Sequence, residues 1–363
     1  MDSTSALVNR KRRFSKKQRV LLTMVLPGAI WLFLLRYLPM FGIVIAFKDY
    51  KIVSPKGAYS VAKALASGDA YSWMVNELPI WLQYITSKPL MAIAKWFDTG
   101  LLPFLRNLSQ SDWVGLQNFK FLFLSPDSKV MFRNTILYNV SFIAVGLVIS
   151  VTFAIMLSEL TNKLAGKTYQ TLMFFPYFMS WVVASYFVFA FIAPGKGLII
   201  KFQESLGMTV TDWYNTPGPW PYILTIARHW KLIGYSTILY LAAITGIDKT
   251  QYEAASIDGA TKWQQIRHIT IPHIRPMITI LLIMDVGRIM NADFGLFYSV
   301  PRNSGPLTQM TMVIDTYVYN AFSATGNVGM SSAAGLLQNV IGFICIMTAN
   351  LIVRKIDEES SLF

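Results

Sequence analysis

Residues 134–160 read NTILYNVSFIAVGLVISVTFAIMLSEL, with no charged side chain before Glu159. A helix needs roughly 20 mostly apolar residues to cross the hydrocarbon core of a bilayer, so Asn134–Leu160 reads as a membrane-spanning helix. The composition of the whole chain agrees. Of 363 residues, 54% are hydrophobic and 14% charged, and the mean hydropathy is +0.44. Soluble domains carry about 45–50% apolar and about 25% charged residues. So large an apolar excess does not fit inside one water-soluble core of this size. The expectation is an all-α integral membrane protein. Collagen-like, disordered and disulfide-framework classes are excluded, the last because Cys345 is the single cysteine. The net charge of +13 does not signal nucleic-acid binding. Its basic residues sit mostly in loops and ends between apolar stretches, as bilayer topology demands.

Five further stretches are long and apolar enough to span: Val20–Phe47, Tyr169–Pro194, Trp220–Ile247, Ile274–Ser299 and Ser331–Val353. Proline and glycine inside them (Pro27, Pro39, Pro176) are tolerated where neighbouring helices satisfy the freed backbone groups. Six transmembrane helices are therefore expected. Arg10, Lys11, Arg12, Arg13, Lys16, Lys17 and Arg19 precede the first span. The positive-inside rule puts that end, residues 1–19, in the cytoplasm. The run from Val20 is too long for the core of a signal peptide. Glu159–Thr168, the loop 248–273 and the tail 354–363 then fall inside, with both termini cytoplasmic. Residues 48–133 form a long extracytoplasmic segment, and 134–353 a five-helix core. Within the long segment, Lys88 and Pro89 argue against a seventh span at Leu78–Phe97. Ala58–Leu108, with Trp73, Trp81 and Trp96, reads either as an amphipathic stretch at the outer interface or as a docking surface for an extracytoplasmic partner.

Little in the chain suggests catalysis. Gly166-Lys167-Thr168 is not a P-loop, because Thr161 stands where the first glycine belongs and no strand precedes it; it reads as a cytoplasmic turn. His229, His268 and His273 share no metal spacing with the single cysteine. Neither G-x-S-x-G nor H-E-x-x-H occurs. The expectation is a non-catalytic transport component, with no cofactor bound by this chain.

The loop between the fourth and fifth spans is more informative. It runs Thr250-Gln251-Tyr252-Glu253-Ala254-Ala255-Ser256-Ile257-Asp258-Gly259-Ala260-Thr261-Lys262-Trp263-Gln264 and on to Ile271-Pro272. Thr250 with Glu253, and Thr261 with Gln264, have capping-box spacing. Gly259 stands between them, where a left-handed residue ends a helix. Two short helices at an angle are expected, followed by Pro272 near the start of the fifth span.

The string resembles the EAA motif of permease subunits in binding-protein-dependent ABC importers. The motif falls on Glu253, Ala254, Ala255, Asp258, Gly259, Ala260, Ile266, Ile271 and Pro272, with Ile266 where the family often has phenylalanine. Leu38–Gly42, Ala46–Tyr50, Trp113–Phe119, Ile314–Tyr319, Gly335–Gln338 and Ala349–Asn350 are similar to carbohydrate-importer permeases of the LplB-like polysaccharide type. Residues 56–112 fall outside that resemblance. The resemblance implies a type I ABC importer permease fold with a MetI-like core, in the bacterial cytoplasmic membrane. It implies a second homologous permease forming a heterodimer, two ATPase subunits that use ATP and Mg, and an extracytoplasmic solute-binding protein. The loop would dock on the ATPase, and the solute would be an oligosaccharide or polysaccharide fragment.

Polar residues at membrane depth are costly and usually face a cavity or each other. Asp285, Arg288, Asn291 and Asp293 interrupt the fifth span. Asp285 and Arg288, three apart on one helical face, have the spacing of a pair; the group either fixes packing or lines a solute path. Trp181 and Tyr186 are aromatic candidates for stacking on a sugar ring. Two other readings stand beside the importer: an ion-coupled carrier using Asp285 and Asp293, and a membrane sensor or scaffold.

Overall fold

Apolar runs uninterrupted by charge fold into long helices, because in a bilayer each backbone N–H and C=O must be satisfied within its own segment. The computed structural model describes residues 23–29, 32–33, 38–50, 107–357 and 361–362. The basic segment 1–19, much of the first expected span and nearly all of Ala58–Leu108 lie outside the described residues. Within them the protein is helical, with a single antiparallel bridge between Lys48 and Trp113 and no strand.

A 3-10 segment, Leu38–Phe47, leads to the bridge. The helices that follow are α1 (Gln117–Leu124), α2 (Ser128–Ser158), α3 (Lys163–Phe174), α4 (Trp181–Ile192), α5 (Leu198–Ser205), α6 (Trp220–Thr245) and α7 (Lys249–Ile257). Next come α8 (Lys262–Val286), α9 (Phe294–Ser299), α10 (Thr308–Thr311), α11 (Ile314–Thr325) and α12 (Val328–Ile356). Three of these, α2, α8 and α12, are long and apolar enough to cross a membrane alone. Two bent pairs meet the same criterion when joined: α3 with α4, turning through 105°, and α6 with α7, turning through 69°. This is the architecture of a multi-pass membrane protein.

α6 packs along α2, and α12 packs against the Leu38–Phe47 segment and α8. One cluster gathers Tyr138 and Phe142 of α2, Trp220 and Leu224 of α6, and Leu296 and Phe297 of α9. A second joins Ala154, Leu241, Ile244 and Ile274 near the opposite end of the bundle. At that end Lys262 Nζ meets Glu159 Oε2 at 2.9 Å, and Arg275 Nε lies 3.9 Å from Asp357 Oδ2. The α2–α3 loop therefore lies beside the start of α8, and the end of α12 beside the middle of α8.

Two expected spans are not single helices. Tyr169–Pro194 is split into α3 and α4. Pro176 lies in a 3-10 turn at Phe175–Phe178, and the Ser180 hydroxyl accepts from the Val183 N–H to start α4 afresh. A proline lacks the N–H that continuation requires. Gly166-Lys167-Thr168 is no turn; it lies inside α3, whose N-cap is Asn162. Ile274–Ser299 is interrupted as well. α8 ends at Val286, Gly287 follows as its C-cap, and Asp293 caps α9 by accepting from the Leu296 N–H. The fourth and sixth spans match the expected ranges to within a few residues.

α6 braces the bend. Lys231 is buried; its Nζ donates to the Tyr177 carbonyl at 3.2 Å and lies between the Tyr177 and Trp181 rings, 5.7 and 5.2 Å from their centroids. Gly234, one turn on, lets the α6 backbone approach the α3 backbone so closely that a Cβ there meets the Met173 carbonyl. Small residues serve this purpose where helices associate within a membrane.

Candidate functional site

The loop between α6 and α8 is built from well-capped short pieces. α7 starts two residues before the expected capping box. Asp248, not Thr250, is its N-cap and accepts from the Thr250 N–H at 3.0 Å. That backbone N–H, aided by the Thr250 hydroxyl, holds the Asp248 carboxyl below its ordinary value. Glu253 is consequently not engaged in a cap and stands exposed on α7. Gly259 has φ +77°, the left-handed conformation that only glycine adopts without cost. The second box forms as its spacing predicts: Thr261 Oγ1 accepts from the Gln264 N–H, and Gln264 Oε1 accepts from the Thr261 N–H.

The second short helix is not separate from the membrane helix. It continues through a π turn at Ile266–Thr270 into Ile271–Val286. Pro272 explains the turn: with no N–H and a ring that crowds the carbonyl four residues back, it breaks the regular ladder, and a π turn is one way to absorb that break. Cross-links pin α7 to this helix: Gln265 Nε2 donates to Ser256 Oγ at 2.8 Å, and the Tyr252 and Thr270 hydroxyls lie 2.9 Å apart. Between the two arms lies a cleft of ≈ 330 Å³ lined by Ala255, Asp258, Gly259, Ala260 and Gln264 among others. Two large apolar side chains beside it, Ile257 and Trp263, are 86% and 68% exposed. No motif marks them in the sequence, although large apolar residues on a charged loop outside any span are a signal of contact with another protein.

The intramembrane polar residues fall into two groups. Trp181 Nε1 donates to Asp293 Oδ2 at 2.6 Å, so these two meet at the start of α9. Tyr186 is apart from them and exposed, with the Arg302 guanidinium 5.5 Å above its ring. The Asn291 backbone carbonyl accepts from Asn139 Nδ2 at 3.2 Å. Asp285 and Arg288 do not form the expected ion pair. α8 ends between them, so Arg288 leaves the helical face on which a three-residue spacing would bring them together. Both line a cavity of ≈ 260 Å³ between α2, α6 and α8, together with Arg228, Tyr235 and Tyr240 of α6. Arg228 and Lys231 escaped the sequence reading because the apolar residues around them carry the hydropathy signal. Two cations three apart inside a span are the mark that reveals them. Among the described residues, no group of three or more His, Cys, Asp or Glu side chains is placed to hold a metal ion.

Comparison with known proteins agrees with this architecture. The sequence pattern of the family described as binding-protein-dependent transport system inner membrane component matches residues 146–358. The chain is 31% identical over 358 residues to the polygalacturonan/rhamnogalacturonan transport system permease protein YteP of Bacillus subtilis (strain 168), covering 96% of this chain and 93% of that one. It is 29% identical over 350 residues to Protein LplB of the same organism, covering 95% and 91%. Among solved structures it is similar to a chain of a bacterial ABC transporter involved in the import of the acidic polysaccharide alginate. The TM-score is 0.72 at 25% identity, over 94% of this chain and 97% of that one.

Proposed function

We propose for this chain, which belongs to the family of binding-protein-dependent transport system inner membrane components, the role of transmembrane permease subunit in an ATP-driven importer of oligosaccharide or polysaccharide fragments. The observation that carries the reading is the α7–α8 hairpin. A cleft flanked by exposed Ile257 and Trp263 is joined to a membrane helix without a break. A partner that grips the hairpin moves α8 with it. From Lys262 to Val286 that lever is about 37 Å long at 1.5 Å per residue, and its far end carries Asp285 at the cavity. The residues assigned to the grip are Glu253, Ala254, Ala255, Asp258, Gly259, Ala260 and Pro272. ATP and Mg are used by two partner ATPase subunits, which shift the permease between two states by their differential affinity for each. A second homologous permease completes the pathway, and a solute-binding protein delivers the solute from outside. The crystal structure of the alginate transporter in complex with alginate pentasaccharide-bound periplasmic protein is the precedent for that last contact. Six spans, the first at Val20–Phe47, place both termini and the hairpin in the cytoplasm. The lysines and arginines that six spans put on the inside (Lys163, Lys167, Lys262, Arg354 and Lys355) support that orientation.

One labelling experiment tests orientation and docking together. In a Cys345→Ser background, a membrane-impermeant maleimide added outside the cell should label Lys201→Cys and leave Lys262→Cys unlabelled. In inside-out vesicles Lys262→Cys should react, and co-assembled ATPase should slow that reaction. Labelling of Lys262→Cys from outside, or no protection by the ATPase, contradicts the proposal.

A further inference from the structure

Arg228 lies eight residues into α6, about 12 Å along the helix from Trp220 and so near the middle of a bilayer. It is only partly exposed. Its guanidinium carbon sits 4.6 Å from the centroid of the Phe142 ring. Among the described residues it donates no hydrogen bond and has no ion-pair partner; the charges of Asp285 and Asp293 reach it only at longer range. A guanidinium carries five N–H donors and cannot lose its charge in a protein. At membrane depth such a group is costly unless it faces a cavity that supplies acceptors. Arg228 faces one: the ≈ 260 Å³ cavity whose walls also carry Arg288, Asp285, the Phe142 ring and the tyrosines Tyr235 and Tyr240. Two guanidinia stand there against one carboxylate, beside aromatic surface. Guanidinium forks match the two oxygens of a carboxylate or a phosphate.

We propose that this cavity selects solutes bearing an anionic group, a uronate carboxylate or a sugar phosphate, through Arg228 and Arg288. The proposal rests on the permease reading above and specifies the chemistry of what passes. Asp285 opposes a second anion in the same place and leaves room for one. The Phe142 and tyrosine rings offer apolar surface to the sugar face.

The test uses the purified complex of this chain with its partner permease and ATPase subunits, without the binding protein, so that the cavity alone is probed. Binding of trigalacturonate, its fully methyl-esterified form and glucose 6-phosphate is followed by ligand-observed NMR titration. The acid or the phosphate should bind and the neutral ester should not; which of the two binds identifies the source of the anion. Loss of one charge-assisted hydrogen-bonded contact should weaken that binding about tenfold or more in Arg228→Gln and in Arg288→Gln. Arg228→Lys, which keeps the charge but not the fork, should fall between Arg228→Gln and the unaltered protein. Should Arg228→Gln fail to assemble, Arg288→Gln, at an exposed position, and Arg228→Lys still decide the matter. Ester binding equal to acid binding, anion binding unchanged in the arginine variants, or no binding of either anion overturns the proposal. The permease reading stands or falls separately, on whether the unaltered complex shows ATP-driven uptake of any saccharide.

Discussion

Gly259→Val is expected to leave the chain inserted and paired with its partner permease while abolishing solute uptake. At φ +77° a side chain costs roughly 1–2 kcal/mol, and valine, branched at Cβ, resists that conformation strongly. Among the described residues, nothing lies within 4 Å of the added Cβ. The fold therefore loses only the strain of one exposed turn, and the rest of the effect falls on whatever grips the hairpin. Gly259→Asn separates the two contributions. Asparagine enters the left-handed region far more readily and should retain more uptake than valine. Glu253→Ala is sharper still. Because Asp248 caps α7 and Glu253 does not, removing the Glu253 side chain should not unravel the helix, and a fall in ATPase recruitment would report the interface alone. Substitutions at Lys163 or Lys167, exposed on α3, should do far less. The measurements are co-purification of the ATPase and uptake by membrane vesicles. Normal recruitment with normal uptake in Gly259→Val and Glu253→Ala would remove the hairpin from the coupling path.

Gly234→Ala should be strongly destabilising even though alanine is ordinarily the better helix former, by about 1 kcal/mol. A Cβ at Gly234 runs into the Met173 carbonyl and the Phe174 Cα, which are backbone atoms of the braced bend and cannot rotate away. Overpacking of this kind typically costs about 1–3 kcal/mol and at times more, so the clash outweighs the gain in propensity. Because the displaced segment carries Tyr177 and Trp181, the Lys231 clamp should loosen as well. Gly166→Ala in α3 is the matched control: among the described residues nothing lies within 4 Å of its added Cβ, and it should be neutral or slightly stabilising. The thermal unfolding temperature in detergent should fall for Gly234→Ala and hold or rise for Gly166→Ala. Equal behaviour would mean that the α3–α6 approach is looser than the structure has it.

The features legible in the sequence are those whose signal is local or long. α12 stands out because more than twenty successive residues avoid charge. The Thr261–Gln264 box and the Gly259 turn stand out because the residue types that satisfy orphaned helix ends are few. Breaks within apolar runs are harder to see. Pro176 is visible, but tolerance of proline in membrane helices hides the 105° turn it accompanies. Gly287 carries no hydropathy signal, so α8 and α9 merge into one apparent span. The choice between Asp248 and Thr250 as the cap depends on where the 69° bend leaves the chain. That geometry comes from α6 packing on its neighbours, not from the loop. The polar site was half legible. Arg288, Asn291 and Asp293 cluster within a few residues and draw notice. Arg228 approaches Asp285 only through the packing of α6 against α8, and a separation of 57 positions leaves no trace in local spacing. The Trp181–Asp293 bond, across 112 positions, is hidden for the same reason.

In the proposed mechanism a partner's ATP hydrolysis, acting through the α7–α8 hairpin, drives solute through this chain. Uptake of a labelled oligosaccharide should be measured in proteoliposomes holding the complete complex, with the binding protein outside and ATP trapped inside. One set keeps its ion gradients, and a second has them collapsed by ionophores. Uptake that requires internal ATP and survives the ionophores is the predicted result. Uptake that proceeds without ATP and stops when the gradients collapse would contradict ATP-driven import and favour an ion-coupled carrier working through Asp285 and Asp293.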